Sequence, residues 1–292
     1  PGAVGTLPVR SHLRRALRFV AKLLSPAIFP PRCIGCGVLL TPPVSARLNP
    51  RPPADDLGGR NELGPALLGG CLCDHCKRDI EPTAPPLCSI CGSMFASRRG
   101  GDHLCDGCMQ RSRYYHRARA ATTYGKVMKR MIHTYKYGGH IRLADPLAAL
   151  LQDAYRRYWP EGGIDLVLPI PLHRRRFRRR GFNQAYLLMH PRRKARGTLA
   201  RVPTDLRALV RVRATPAQAG LGRSDRRRNI RDAFQVRMPR SVEGRKILLV
   251  DDVYTTGATV EECSRVLIQA GAQRVEVLTV ARAMPGYRAG AE

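Results

Sequence analysis

Apolar residues come in short blocks along this chain, and their spacing changes from block to block. Ile247 to Val250 form an unbroken aliphatic run, "ILLV", that leads straight into Asp251 and Asp252. A run of this length, bounded by polar residues, predicts a strand buried on both faces. "GIDLVLPIPL" (163–172) and "RVEVLTVAR" (274–282) have the same character, and "RARAATTYG" (117–125) reads as a strand and turn. Elsewhere the period is helical. In "TVEECSRVLIQAGA" (259–272), Val260, Cys263, Val266, Leu267 and Ala270 share one face, and Gly271 ends the pattern. Residues 126–158 read as helices broken at Gly138–Gly139, and "GFNQAYLLMH" (181–190) reads as a helix start. Strands alternating with helices predict an α/β fold with a parallel sheet.

The N-terminal third follows other rules. Leu13, Leu17, Val20 and Leu24 line one face of a basic amphipathic helix over 11–25, expected to pack on its own protein. A Pro- and Gly-rich stretch near 41–70 has no periodicity and is expected as an inserted loop. No apolar run reaches the ~18 residues of a membrane helix. Arg14, Arg15, Arg18 and Lys22 break up any signal-peptide pattern, so the expected location is cytoplasmic.

Nine of the ten cysteines fall between residues 33 and 108, in "CIGC", "CLCDHC", "CSIC" and "CDGC". A CxxC turn sets two sulfurs at the bite of a tetrahedral ion, and two such turns complete a four-sulfur zinc site. The simplest pairing joins Cys33, Cys36, Cys73 and Cys76 around one ion, and Cys88, Cys91, Cys105 and Cys108 around another. Cys71 can replace Cys73 in this reading, with His75 and His103 as nearby substitutes. All-sulfur ligation leaves no open position, so these zinc sites are expected to be structural. The layout is then a lead-in helix (1–32), a zinc module (33–112) and an α/β domain (113–292).

Asp251 and Asp252 follow a buried strand, and ligands of open parallel sheets bind beyond such strand ends. Gly257 permits a tight turn, and the N–H groups of the helix that follows attract phosphate. The hydroxyls of Thr255, Thr256 and Thr259 add donors. Two carboxylates beside a phosphate cradle suit a sugar phosphate, accepting from ribose hydroxyls or holding Mg²⁺.

This stretch resembles the phosphoribosyl-pyrophosphate (PRPP) signature of type I phosphoribosyltransferases. Together with "LPIPLHRRRFRRRGFNQA" (168–185), "RVRATPAQAGLGRSDRRRNIRDAFQV" (211–236) and the cysteine turns, it is similar to the ComF family. That family joins a zinc module to a type I phosphoribosyltransferase-like domain and is linked to DNA uptake in natural transformation. The resemblance implies that Asp251 and Asp252 bind the ribose diol with Mg²⁺. It places the 5′-phosphate on Thr255, Thr256, Gly257, Ala258 and Thr259. A loop near Pro171 to Arg175, with Arg174 and Arg175, would face pyrophosphate. A mobile loop from Gln218 to Asn229 would close over the site, offering Arg223, Arg226 or Arg227. Two departures stand out: the gap from Cys36 to Cys71 is long, and Thr255 replaces the aspartate that serves the base in purine-salvage enzymes.

Charge adds a further expectation. The chain carries 51 Lys and Arg against 22 Asp and Glu, a net +29. Six arginines between Arg174 and Arg180 surround Phe177. Pyrophosphate needs few of them, so Arg176, Phe177, Arg178, Arg179 and Arg180 are read as a single-stranded DNA contact. The expected partners are PRPP, single-stranded DNA and proteins of the DNA-uptake machinery. Whether the chain turns PRPP over onto an acceptor or only senses it stays open at this level.

Overall fold

The computed structural model describes residues 31–40, 68, 70–97, 99–190, 198–215 and 223–284. The predicted helix at 11–25 and most of the 41–70 insertion lie outside the described residues. In chain order the elements are α1 (Asp74–Arg78), α2 (Asp106–Met109), β1 (Arg117–Thr123), α3 (Lys126–Tyr137), α4 (Ala144–Tyr158), β2 (Leu166–Pro169), α5 (Arg174–Arg180) and α6 (Gln184–Met189). They continue with β3 (Leu209–Arg211), α7 (Arg223–Ile230), β4 (Phe234–Val236), β5 (Lys246–Tyr254), α8 (Ala258–Gln269) and β6 (Arg274–Arg282).

Four strands form a parallel sheet in the order β1-β6-β5-β2, and β3 and β4 form a separate antiparallel pair. Successive side chains of a strand point to opposite faces, so an unbroken apolar run needs cover on both. Leu248 and Val250 pack with Met131, Ile132, Leu147 and Leu188 of α3, α4 and α6. Ile247 and Leu249 pack with Val260, Cys263 and Leu267 of α8 and with Phe234 of β4. Leu248 has no solvent exposure. Its truncation to alanine leaves a cavity between sheet and helices, at a cost of about 2–5 kcal/mol.

The cysteine turns are anchored to this α/β body. Cys33 and Cys76 share the core of Val127, Met128 and Met131, and Arg130 donates to the carbonyl of Gly35. The second pair of turns leans on β1. The Ala118 N–H donates to the Ile90 carbonyl at 2.7 Å, and Arg119 donates to the carbonyls of Cys88 and Ser89 at 3.3 and 3.2 Å. At Gly92, with φ +68°, a Cβ would strike the Ala118 carbonyl, so only glycine lets the turn approach the strand.

Two segments differ from the sequence expectation. The loop after β2 keeps only Ile170 to His173, because the arginine run folds as α5. Arginine is a good helix former, and His173 caps the helix by accepting from the Arg175 N–H at 3.2 Å. Most of the described part of the expected mobile loop, from Arg223 onward, is likewise helical. It forms α7, pinned by buried Ile230; residues 216–222 lie outside the described residues.

Candidate functional site

β5 ends beside a cleft of about 280 Å³ whose wall includes Asp251, Asp252, Thr255 and Thr259. Asp252 is almost fully buried, and Lys136 of α3 meets its Oδ1 at 2.7 Å. Its Oδ2 is buried with no hydrogen-bond partner among the described residues. Asp251 accepts from the Asp252 N–H at 2.8 Å. Burial first, and then the charge of Asp252, push the Asp251 carboxyl up to about 7, against the pull of Lys136. Burial works against the Lys136 ammonium, yet the two carboxylates hold its pKa above the usual lysine value. Arg176, Arg180 and Arg211 add three guanidinium groups to the same wall. Burial and the nearby Arg176 charge lower Arg211 to about 10, which leaves it cationic at neutral pH. The cleft therefore pairs two acids with four cations.

The turn between β5 and α8 depends on Gly257. Its φ is +79°, and a Cβ there would meet the Tyr254 hydroxyl. α8 starts at Ala258 with no side-chain cap, so its first N–H groups are available to an anion. Thr255 and Thr259 face the cleft, whereas Thr256 and Ala258 line a separate cleft of about 510 Å³ beside Arg228 and Arg231.

The arginine run is split. Helical spacing turns Arg176 and Arg180 toward the cleft, Arg174 and Phe177 toward a neighbouring groove, and Arg175, Arg178 and Arg179 toward solvent. The resemblance assigns Arg174 and Arg175 to pyrophosphate, and the charge pattern assigns Arg176 and Arg180 to nucleic acid. α7 packs beside α8, and the roles expected of the Arg223, Arg226 and Arg227 side chains lie outside the described residues. Lys136 and Arg211 were not foreseen. Each is one cation among several in its own segment, and only the fold brings it to β5.

The cysteines gather into two groups, Cys33, Cys36, Cys73 and Cys76, and Cys88, Cys91, Cys105 and Cys108. Within each group the sulfurs lie within 4.8 Å of one another. Zinc–sulfur bonds of ~2.3 Å around a tetrahedral ion put sulfurs ~3.8 Å apart. The Cys36–Cys73 and Cys91–Cys105 sulfur pairs stand at 3.7 and 3.6 Å, so the donor sets fit such an ion. The Cys71 thiol donates to the Leu68 carbonyl at 2.6 Å, which leaves Cys73 in the first group. Burial opposes a thiolate at Cys33, but N–H groups of Cys73, Cys36 and Gly35 outweigh it and lower the thiol to about 6. At Cys88 the neighbouring Cys91 thiol is the main cause of a fall to about 3. His75 instead faces Asp79 at 3.7 Å, and His103 stacks on Phe95 with ring centroids 3.7 Å apart.

A buried chain of contacts joins the second group to the phosphate turn. Arg282 donates to the Cys91 sulfur at 3.2 Å, and its guanidinium lies 4.0 Å over the Tyr254 ring. The Tyr254 hydroxyl shares a 2.7 Å hydrogen bond with that of Tyr115, directly beneath Gly257.

Residues 202–289, which include the acid-bearing strand, match the model of the phosphoribosyl transferase domain. Relatives match over a longer stretch of the chain. The DNA utilization protein YhgH of Escherichia coli strain K12 is 33% identical over 220 residues, covering 73% of this chain and 91% of its own. Competence protein F of Haemophilus influenzae is 31% identical over 223 residues, covering 73% of this chain and 90% of its own. Competence protein ComFC of Streptococcus pneumoniae is 29% identical over 218 residues, covering 73% and 88%. The chain belongs to the ComF family. Solved structures overlap it less: the allosteric regulatory enzyme of purine biosynthesis superposes at a TM-score of 0.33 with 17% identity, covering 50% of this chain and 29% of its own, too low to argue from. Among the described residues no helix is long and apolar enough to cross a membrane.

Proposed function

We propose that this protein binds PRPP with Mg²⁺ in the cleft at Asp251 and Asp252, binds single-stranded DNA on its arginine-rich surface, and serves DNA uptake. The observation that carries the PRPP reading is the cleft itself, where an acid pair in the C-terminal half of β5, which runs on to Tyr254, faces Lys136, Arg176, Arg180 and Arg211. Asp251 and Asp252 would accept from the ribose hydroxyls. Thr255, Thr259 and the first N–H groups of α8 would donate to the 5′-phosphate. The cations would face the diphosphate, and Mg²⁺, when bound, screens its charge. Two structural zinc ions would close the cysteine groups.

The DNA part rests on the net charge, on the three solvent-facing arginines of α5, and on relatives whose names refer to DNA utilization and competence. Calorimetric titration with PRPP tests the first part, with and without Mg²⁺. Tight binding that needs the metal supports it, and no heat in either case removes it. Measuring pyrophosphate release, with and without single-stranded DNA, then separates a transferase from a protein that only binds.

A further inference from the structure

The cleft has a larger neighbour. A groove of about 810 Å³ runs between α5, α6 and β3, and shares Pro171, Leu172 and Arg211 with the cleft wall. Phe177, Leu206 and Val212, three large apolar side chains exposed by 48, 50 and 48%, converge on it. Phe182 and Tyr186 add two further rings. Apolar side chains of this size that gather on one surface, rather than scatter, mark a binding site.

The electrostatics narrow the occupant. Arg174, Arg211 and Arg237 line the groove, and among the described residues no carboxylate does. Arg175, Arg178 and Arg179 extend the positive field over the outer face of α5. A ligand suited to this surface has flat apolar faces and a repeating negative charge. The side-chain amide of the groove, Asn183, is already committed within the protein. The oxygen of Asn183 accepts from the N–H groups of Ala185 and Tyr186, at 2.9 and 3.4 Å, and its amide nitrogen donates to the Ile170 carbonyl at 3.2 Å. Rings beside cations suit a single strand of any sequence, because every base offers a face to stack on while the cations hold the backbone.

We infer that this groove is a nucleobase slot: bases of a single strand stack against Phe177 and Tyr186 while the backbone runs along the arginines of α5. The inference rests on the DNA reading proposed above and adds to it which surface takes the bases. Because groove and cleft share a wall, a strand held there ends at the rim of the acid-pair site.

The test compares oligothymidylate with an abasic strand of equal length and charge, by fluorescence anisotropy at fixed salt. Base–aromatic stacking of ~1–3 kcal/mol per base corresponds to a preference of about fivefold to more than a hundredfold for the base-bearing strand. Phe177→Ala should abolish most of that preference and leave abasic binding, melting temperature and PRPP affinity unchanged. Leu206→Glu, at a half-exposed position, should weaken both strands by placing an anion in the groove. If the wild type binds neither strand, the DNA reading itself fails and the slot with it. If it binds both strands equally, or if Phe177→Ala keeps the full preference, the slot is wrong and the DNA reading stands. If Phe177→Ala keeps the preference and changes self-association in sedimentation, the groove holds a second copy of the chain and the inference is overturned.

Discussion

Asp251 is the residue on which the chemistry of the cleft turns. Its carboxyl is pushed up to about 7, first by burial and then by Asp252. The sign follows directly: the carboxylate forms as pH rises through that value, and the protonated acid is present below it. PRPP–Mg²⁺ affinity should therefore decline as pH falls below about 7. PRPP titrates too, so the control is Asp251→Asn, which should bind weakly and lose this part of the pH profile. Removing a hydrogen bond to a charged group costs ~1.5–3 kcal/mol, or about tenfold to a hundredfold in affinity, at Asp251 or Asp252. Titration calorimetry at several pH values checks both statements; equal affinity for both variants and the wild type would remove the acids from the site. Gly257 is the second sensitive residue. Gly257→Ala should lose ~1–2 kcal/mol to left-handed strain, and more from the clash with Tyr254, lowering both melting temperature and PRPP affinity.

At the scale of elements, α5 is one helix with three faces. Arg176 and Arg180 face the acid-pair cleft, while Arg175, Arg178 and Arg179 face solvent. Replacing the three solvent-facing arginines with alanine should weaken single-stranded DNA binding. It should also make the log–log salt slope shallower by ~2, at ~0.7 per phosphate contact, while PRPP binding persists. Replacing Arg176 and Arg180 should weaken PRPP first. Anisotropy across a salt series and calorimetry on the same proteins distinguish the two; an inverted pattern would mean that the outer face serves the diphosphate.

Across the whole molecule, the cysteine groups and the acid-pair cleft are mechanically joined. Arg282 bonds the Cys91 sulfur and stacks on Tyr254, which lies under Gly257. Metal binding and folding are coupled in all-cysteine sites. Cys105→Ser should lower the metal content from two zinc ions to one per chain, and it should weaken PRPP binding several-fold although no cysteine lines the cleft. Elemental analysis and calorimetry on the same sample check this. One zinc per chain with unchanged PRPP affinity would show that the second group only holds its own module together.

Much of this was legible in the residues. "KILLVDDVYTTGAT" carries its own strand, acid pair, glycine turn and helix start within one local segment, so its period and its turn chemistry announce the site. The cysteine turns were legible for the same reason, since a CxxC bite is a local geometry. Choosing Cys73 over Cys71 was not local; it took the Leu68 carbonyl, which occupies the Cys71 thiol. Lys136 and Arg211 reached the cleft from α3 and β3, and one cation among several has no spacing that marks it. The split of the arginine run needed the helix as well: a row of identical charges has no amphipathic period, so only the packing of α5 decides which side chains meet the cleft, the groove or water. The sequence by itself determined the parallel α/β body, the acid-pair strand and the pairing of the cysteine turns, because each is written in short-range pattern. The tertiary structure alone decided which cations serve the acids, where the apolar groove lies, and that Arg282 ties a cysteine group to the phosphate turn. Those are contacts between distant segments, and chain spacing carries no record of them.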